Sequence, residues 1–309
     1  AVFKDNRDAH RIEPNGEILF QVWLSGGNGV SDGRVGFIDG IRTNGNGMGS
    51  DWALPTYFYK FDSLDARRDV TIASYAINGS GYYTGIASVY GPLVMSKFRR
   101  DWHSNPATPP NSNFAYTGIS WPMIRYSDVL LMFAEAENEL HHVPTGAALS
   151  AFKQVRLRGF DGDENKMGVI PSDYAGFFNA ITNERMFEFG GEGLRKWDLI
   201  RWNLISTVFS ETRANLAKFR KQQAPYNNIP ATMYYLTNSA SGIVYYSGYY
   251  QPSPSDPPAG YTSMKWTTAY LNNFENDWAG SFVSNQREIL PYGPQTLSSN
   301  PNLHQGYGY

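Results

Sequence analysis

The chain has 309 residues and a formal net charge of −2, from 26 Lys and Arg against 28 Asp and Glu. It is long enough for one large or two smaller domains with a sizeable core, and its near-neutral charge excludes a basic surface for nucleic acid or an acidic membrane. It contains no cysteine, so disulfide and thiolate chemistry are excluded as well, whereas aromatic residues reach 15% and are the main compositional hint of function.

Residues 1–120 are predicted to be rich in loops with short strands. Residues 18–24 are apolar and partly β-branched, which favours a strand. The glycine-rich residues 40–49 lack both the Rossmann and the P-loop spacing, so they predict a plain loop rather than a phosphate site. Residues 1–4 show neither a signal peptide nor a starting methionine, and no run of about 18 apolar residues predicts a membrane span.

A helix is predicted to begin at Pro122, because proline suits the first position of a helix. Apolar residues then recur at helical spacing and predict one buried stripe. The stripe comprises Val129, Leu130, Phe133, Ala136 and Leu140. The helix is predicted to end before Pro144, since a proline disfavours helical geometry in the residue that precedes it.

Further helices are predicted over residues 147–158 and 173–189, and from Leu194 through residue 223. In the last of these, Trp197, Ile200, Leu204 and Val208 are expected on one face. The first two helices of the region form an antiparallel pair that cannot bury both faces alone, so we expect neighbours on either side, as in a helical repeat. Residues 226–270 are rich in Tyr, Ser, Gly and Pro and predict a hairpin with an irregular loop.

Charged residues interrupt the apolar faces of these helices at fixed spacing. Isolated buried charges are very costly, so we expect the charges to pair and to join the helices in a structural ion-pair network. The predicted members are Arg125, Glu184, Arg185, Glu188, Glu192, Arg195, Asp198 and Arg201.

Three blocks of this region, in fixed order, resemble one family. They are the Arg-Tyr-Ser-Asp-Val-Leu-Leu-Met-Phe-Ala-Glu-Ala of residues 125–136, the Val-Arg-Leu-Arg of residues 155–158, and the Glu-Arg, Glu, Glu-Gly, Arg, Asp-Leu and Arg-Trp elements of residues 184–202. The chain resembles the C-terminal half of the SusD/RagB family, the outer-membrane nutrient-binding lipoproteins of Bacteroidota. It departs from the family pattern at residues 127–128, where Ser-Asp replaces Ala-Glu, and at Phe189, which stands for a leucine one position late.

The resemblance implies a mostly α, SusD-like fold: a tetratricopeptide-type helix pair plus further helices, with long irregular loops and a few short strands. It divides the chain into a loop-rich segment (1–120), a helical core (121–224) and a loop-rich segment packing on that core (225–309). It also implies an N-terminal helical half and a lipid anchor beyond these residues, so we expect part of a longer, surface-exposed lipoprotein of the outer membrane. The implied partners are a glycan and a SusC-like TonB-dependent transporter.

Aromatic residues in the loops are the predicted ligand contacts, because sugar rings stack their C–H faces on Trp and Tyr while polar side chains bind the hydroxyls. The candidate rings are Trp52, Tyr57, Tyr59, Tyr82, Tyr83 and Trp102, and the candidate polar partners are Arg42, Asn44 and Asn78.

Other chemistry is poorly supported by the residues. Glu135, Glu139 and His142 imitate half of a di-metal motif, but no second Glu-x-x-His faces them. Residues 161–165 resemble a calcium loop with Lys166 where an EF-hand needs glycine, so an irregular structural calcium site is the metal possibility left open, and no other cofactor is expected.

The sequence therefore predicts a glycan-binding protein without catalysis. One rival is capture of another nutrient such as a peptide, as the RagB branch of the family implies; a Tyr-rich groove suits an extended peptide. A second rival is a glycoside hydrolase, which needs a carboxylate pair across an open cleft. Glu184, Glu188 and Glu192 share one helical face, but the surrounding arginines favour ion pairing instead.

Overall fold

The chain folds into helices joined by long loops and by small antiparallel sheets. A computed structural model describes residues 16–24, 33–44, 46–102 and 118–306. The helices are α1 (Val35–Ile38), α2 (Pro55–Phe58), α3 (Arg67–Thr71), α4 (Tyr126–His141), α5 (Gly146–Gly159), α6 (Tyr174–Glu188), α7 (Arg195–Arg201), α8 (Ile205–Arg220), α9 (Phe274–Asp277) and α10 (Pro294–Ser299). The strands are β1 (Ile18–Val22), β2 (Ile72–Ala73), β3 (Tyr75–Ile77), β4 (Tyr83–Gly85), β5 (Val94–Met95), β6 (Trp121–Arg125), β7 (Thr232–Tyr235) and β8 (Thr262–Lys265). The fold is mostly helical, as the sequence predicts.

The described strands form two-stranded antiparallel sheets: β1 with β6, β2 with β5, β3 with β4 and β7 with β8. The last pair is the hairpin expected within residues 226–270. Pro122 lies in β6 opposite Gln21 of β1, so the prediction that a helix begins at Pro122 is wrong. A proline is tolerated there because both strands of a two-stranded sheet are edge strands, and α4 begins at Tyr126 once that pairing ends.

Helices α4, α5 and α6 enclose the main helical core, where Leu131 and Ala134 of α4 pack with Phe152 of α5 and Phe177 of α6. Side chains cap two of these helices, because a free backbone N–H in the first turn needs an acceptor. Asp173 accepts a hydrogen bond from the backbone N–H of Gly176 at 2.8 Å, and the hydroxyl of Thr145 plays the same part for α5.

The apolar stripe predicted for α4 is largely exposed, which corrects the sequence-based assignment. Val129 is 37% exposed, Phe133 44% and Leu140 73%. The buried face instead carries Asp128, whose carboxylate binds Arg185 at 2.6 Å, and the small Ala134, which lets α5 approach closely. The ion pair and the close helix contact therefore determine which face of α4 is buried. The larger apolar side chains form an exposed apolar face on the same helix.

The predicted fourth helix is also divided. Helix α7 ends at Arg201, Asn203 adopts a left-handed φ of 55°, and α8 begins at Ile205. Trp197 is 53% exposed, so it does not share a buried stripe with the residues of α8.

Buried carboxylates at the end of α6 bind cations from distant parts of the chain. Arg125 donates from Nε to Glu192 Oε2 and from Nη1 to Glu188 Oε1, both at 2.8 Å. Lys97 donates from Nζ to Glu192 Oε1 and to the carbonyl of Glu188, both at 2.6 Å. These four side chains are almost completely buried, so each charge depends on its partners.

A second branch of the network joins α3 and α5 to α6. Arg67 binds Glu184 at 2.6 Å, Glu188 at 3.2 Å and Asp65 at 2.7 Å. Arg156 reaches the other oxygen of Glu184 at 3.0 Å. The loop-rich segment before residue 120 is thus tied to the helical core by buried charge.

A third branch is centred on Asp198. Its two oxygens accept from Arg185 at 2.8 Å and from Arg201 at 2.9 Å, and Arg201 also binds Glu135 at 2.5 Å. The ring of Phe189 separates this branch from the first, with the guanidinium carbons of Arg125 and Arg185 at 4.9 Å and 5.0 Å from its centroid.

Within the described residues, no helix has both the length and the apolar character that a membrane span needs.

Removing one cation from this network should destabilise the fold strongly. We expect Arg125→Met to lower the free energy of unfolding by about 3–5 kcal/mol, because Glu188 and Glu192 would keep buried charges with fewer partners. Urea denaturation measures the change. The exposed Lys218→Met on α8 is the control and should stay within about 0.5 kcal/mol of the parent chain. Equal curves for both variants would contradict a structural role.

The network also predicts how stability depends on acid. Burial opposes the charge of Glu188, but Arg125, Arg158, Arg67 and Lys97 outweigh it and hold the pKa of this carboxyl well below its ordinary 4.5. The ion pairs of Glu188 therefore stabilise the fold above about pH 4.5, and this contribution is lost as the pH falls further. Melting temperatures between pH 3 and pH 7 should decline less steeply on the acid side for Glu188→Gln than for the parent chain. An identical acid slope would refute the assignment.

Candidate functional site

The predicted ligand contacts fall into two groups in the structure. Trp52, Tyr57 and Tyr59 line a cavity between α2 and α8. The remaining candidates lie at or near the β3–β4 hairpin: Arg42, Asn44, Asn78, Tyr82, Tyr83 and Trp102.

Four planar side chains near the hairpin form a continuous series, which we call the aromatic row: Tyr83, Tyr75, Arg99 and Trp102. The rings of Tyr83 and Tyr75 have centroids 5.2 Å apart. The guanidinium carbon of Arg99 lies 5.2 Å from the Tyr75 centroid and 4.5 Å from that of Trp102. Contacts between aromatic rings and cation–π contacts each stabilise such a series.

Arg99 fixes the middle of the aromatic row. Its side chain is buried, pairs with the carboxylate of Asp101 at 2.5 Å, and donates to the hydroxyl of Tyr75. Burial opposes the charge of Arg99, but Asp101 and Tyr75 outweigh it and hold its pKa above the ordinary value. The two half-buried tyrosines and Trp102 are therefore held in place by a permanent cation.

The hairpin turn uses one of the predicted polar partners. Asn78 accepts from the backbone N–H groups of Ser80 and Tyr82 through Oδ1, both at 3.0 Å. Its oxygen is thus committed to the turn, in the manner of an Asx turn. Tyr82 itself is 39% exposed at the tip of the hairpin.

Arg42 and Asn44 lie beside the same hairpin. The backbone N–H of Ile77 donates to the carbonyl of Arg42 at 2.9 Å. The side chain of Arg42 is exposed, and Asn44 adopts a left-handed φ of 51° that an asparagine tolerates.

Trp52 connects the two groups. Its ring lies 5.8 Å from that of the exposed Tyr90, and it packs on a small apolar cluster that also carries Tyr75 and Tyr83. The same residue lines the cavity. Sequence reasoning missed Tyr75, Tyr90 and Arg99, because only the folded chain brings them to this surface.

The cavity has a volume of about 580 Å³. Aromatic side chains from three distant segments form much of its wall, which brings together Trp52, Tyr57, Tyr59, Phe209, Tyr226 and Trp278. The hydroxyls of two of them are already used: Tyr57 donates to the carbonyl of Met186 at 3.0 Å, and Tyr59 donates to the carbonyl of Tyr249 at 3.0 Å and accepts from Trp266. These tyrosines therefore present ring surface rather than hydroxyl groups.

Arg195 differs from the role that the sequence predicts. Among the described residues it makes no ion pair, and its guanidinium donates from Nη1 to the carbonyl of Thr182 at 2.8 Å. Burial lowers its pKa, and Asp198 offsets the effect only in part. Arg195 lines the cavity instead of joining the buried network.

The SusD family model matches residues 56–309 of this chain. The chain belongs to the SusD family. Among curated relatives, SusD-like protein P25 of Formosa agariphila is 30% identical over 174 residues, which cover 55% of this chain and 30% of the relative. SusD-like protein P2 of the same organism is 27% identical over 67% of this chain and 43% of the relative. The chain thus spans less than half the length of the curated relatives it matches.

Solved structures confirm the SusD-like fold. A SusD homolog from Bacteroides thetaiotaomicron has a TM-score of 0.68 at 18% identity, covering 100% of this chain and 54% of that one. Surface glycan-binding protein A from Bacteroides uniformis has a TM-score of 0.51 at 18% identity, covering 98% of this chain and 51% of that one.

The side chains of this SusD-family chain that resemble metal ligands in sequence make other contacts in the structure. Glu139 accepts from the hydroxyl of Tyr174 at 2.9 Å, and Glu135 binds Arg201. In the calcium-like loop, Asp163 pairs with Lys166 at 3.3 Å. Within the part of the chain that the structure describes, no group of three or more His, Cys, Asp or Glu side chains is placed to hold a metal ion. A structural calcium ion stays a prediction.

Asp39 should make the fold of this SusD-family chain less stable at neutral pH than at about pH 4. Burial, with a smaller contribution from Asp51, raises the pKa of Asp39 from 3.8 to about 6. Because the folded state holds this proton more tightly, stability is lost as the pH rises from 3.8 through about 6. Asp39→Asn should therefore gain about 1–2 kcal/mol over the parent chain between pH 4.5 and pH 7 in denaturant titrations. A gain that does not change with pH would contradict the assignment.

Proposed function

We propose that this SusD-family chain binds a glycan along the aromatic row. The carrying observation is the continuous series Tyr83, Tyr75, Arg99 and Trp102, in which tilted rings and a buried guanidinium are in successive contact. A saccharide has successive rings with apolar faces, so a series of aromatic groups matches its repeat better than one isolated ring would.

Polar groups beside the row suit sugar hydroxyls. The carboxylate of Asp101, which Arg99 engages through both oxygens, lies next to Trp102, and Arg42 and Asn44 lie next to the hairpin. The hairpin tip carries the exposed Tyr82, so a long chain can lie across this surface without entering the core.

Relatives support a glycan as the ligand. One of the structures of the same fold is named a surface glycan-binding protein, from Bacteroides uniformis. The rival of peptide capture has no observation of its own in the described residues, and it is kept as an outcome of the binding test below.

The carboxylates that best imitate an acid–base pair support binding without catalysis. Glu184, Glu188 and Glu192 are at most 5% exposed, and each is engaged by two or more cations. None of them lines the cavity between α2 and α8. A glycosidase needs such carboxyls to face a substrate across open space.

We propose further that the whole protein delivers its glycan to a SusC-like TonB-dependent transporter, as a surface-exposed outer-membrane lipoprotein. This rests on membership of the SusD family. Affinity purification of the full-length protein from detergent-solubilised membranes should recover a large outer-membrane transporter in about equal amount. Its absence from the purified material would contradict the delivery role while leaving glycan binding untouched.

Truncating a ring of the aromatic row should weaken glycan binding. We expect Tyr83→Ala and Trp102→Ala each to cost about 1–3 kcal/mol of binding free energy, by analogy with the loss of one ring that stacks on a base. Tyr83→Phe keeps the ring and should bind within about 0.5 kcal/mol of the parent chain. A glycan array identifies the ligand, and isothermal titration calorimetry gives the affinities.

The matched control is Tyr292→Ala, which removes an exposed tyrosine near the C-terminal end of the chain. It should leave affinity unchanged. Unchanged affinity for both row variants would remove the row from the site. Release of reducing ends on prolonged incubation would point to the hydrolase, and binding of extended peptides but of no glycan would point to the peptide rival.

A further inference from the structure

The cavity between α2 and α8 carries four charged groups that form no ion pair among the described residues. Arg195 and Asp51 are half-buried in its wall, and Lys60 and Glu211 are exposed lining residues. Among the described residues, none of the four has an opposite charge within the 4.0 Å of an ion pair. Most of the fully buried charged side chains among the described residues form ion pairs, so these four stand apart.

Burial acts on these groups without full compensation. Burial and the nearby Arg195 lower the pKa of Lys60, which Glu211 offsets only in part, and burial raises the pKa of Asp51. A half-buried charge with too few hydrogen bonds is stabilised when a ligand supplies them. The charged groups of the cavity therefore favour the binding of a polar ligand.

The charges in the cavity wall balance. Two cations, Lys60 and Arg195, stand against two carboxylates, Asp51 and Glu211. A strongly acidic or basic ligand would meet an equal amount of repulsion and attraction, whereas a neutral ligand with many hydroxyls can accept from the cations and donate to the carboxylates. The balance favours a neutral polyol over a charged sugar.

The rest of the wall suits a sugar ring. Trp52, Phe209, Tyr226 and Trp278 offer aromatic surface, and a volume of about 580 Å³ lies within the roughly 300–1,000 Å³ typical of small-molecule sites. Apolar walls with a few convergent polar groups are the usual composition of such sites.

We propose that this cavity is a second binding site, separate from the aromatic row, which takes a short neutral saccharide. Arg195 and Lys60 donate to its hydroxyl oxygens, Asp51 and Glu211 accept from its hydroxyl hydrogens, and the aromatic wall covers its C–H faces. Binding in the cavity does not require the aromatic row. Both sites would bind saccharides, the row a long chain and the cavity a short one.

The test uses the 309-residue chain and neutral mono- and disaccharides of glucose, galactose, mannose and xylose, with glucuronate and galacturonate as charged counterparts. Trp52 and Trp278 line the cavity, so tryptophan fluorescence reports binding there, and calorimetry gives the affinity. We expect at least one neutral saccharide to bind, and the charged counterpart to bind about tenfold more weakly or worse.

Two variants locate the binding. Thr212→Trp fills the cavity from α8 and should weaken neutral-saccharide binding by about tenfold or more, whereas Ala214→Trp, at an exposed position of the same helix, should not. Asp51→Asn replaces one carboxylate oxygen by an amide nitrogen of similar size and should weaken binding by a similar factor. It tests the proposal even if Thr212→Trp does not fold.

This design tests the proposal for the aromatic row and the proposal for the cavity independently. Tyr83→Ala should leave short-saccharide binding unchanged, and Thr212→Trp should leave polysaccharide binding by the row unchanged. The cavity proposal is overturned if no neutral saccharide binds, if the charged sugars bind equally well or better, or if both Thr212→Trp and Asp51→Asn bind like the parent chain.

Discussion

The contacts of Arg125 with Glu188 and Glu192 are the constraint on which the rest of the structure depends. They join the end of β6 to the end of α6, where each of the three side chains is at most 5% exposed. Buried charges stabilise a fold only when geometry and hydrogen bonding are nearly complete, and a lost partner is costly. The chain therefore has to bring Lys97 and Arg67 to the same carboxylates, which fixes the loop-rich segment against the helices.

That constraint explains why the helices alone do not set the architecture. Helix α4 turns Asp128 inward toward Arg185 and leaves Phe133 in solvent, the reverse of what its apolar periodicity favours. The buried network also positions the aromatic row. Lys97, which binds Glu192 in the network, precedes Arg99 of the row by only two residues. The buried ion pairs of the core thus position the side chains that we propose bind a ligand.

The sequence predicts the elements of this fold well, because caps and local spacing determine them. Asp173 marks the start of α6, and residues 18–24 contain β1 almost as expected. The helix start at Pro122 could not be found locally, since a strand far away in sequence pairs with it. The contact of Arg67 with Glu184 joins residues 117 positions apart, so only the folded chain shows it.

The candidate site was predictable in residue type but not in arrangement. Loop position and aromatic character suffice to select Tyr83 and Trp102, whereas Tyr75 and Arg99 complete the row only through contacts across a hairpin. The cavity has no local signature, because its lining residues, such as Tyr57 and Trp278, come from segments far apart in sequence. A cation without an ion pair among the described residues, such as Arg195, is recognised only once the other ion pairs are known.

The exposed apolar face of α4 has a consequence for the behaviour of this chain in solution. Side chains as large as Met132, Phe133 and Leu140 face water there, and Phe20 of β1 and Met123 of β6 are exposed as well. Hydrophobic attraction grows with warming and with salts that are excluded from protein surfaces. We therefore expect these 309 residues to associate more readily as temperature or the concentration of ammonium sulfate rises.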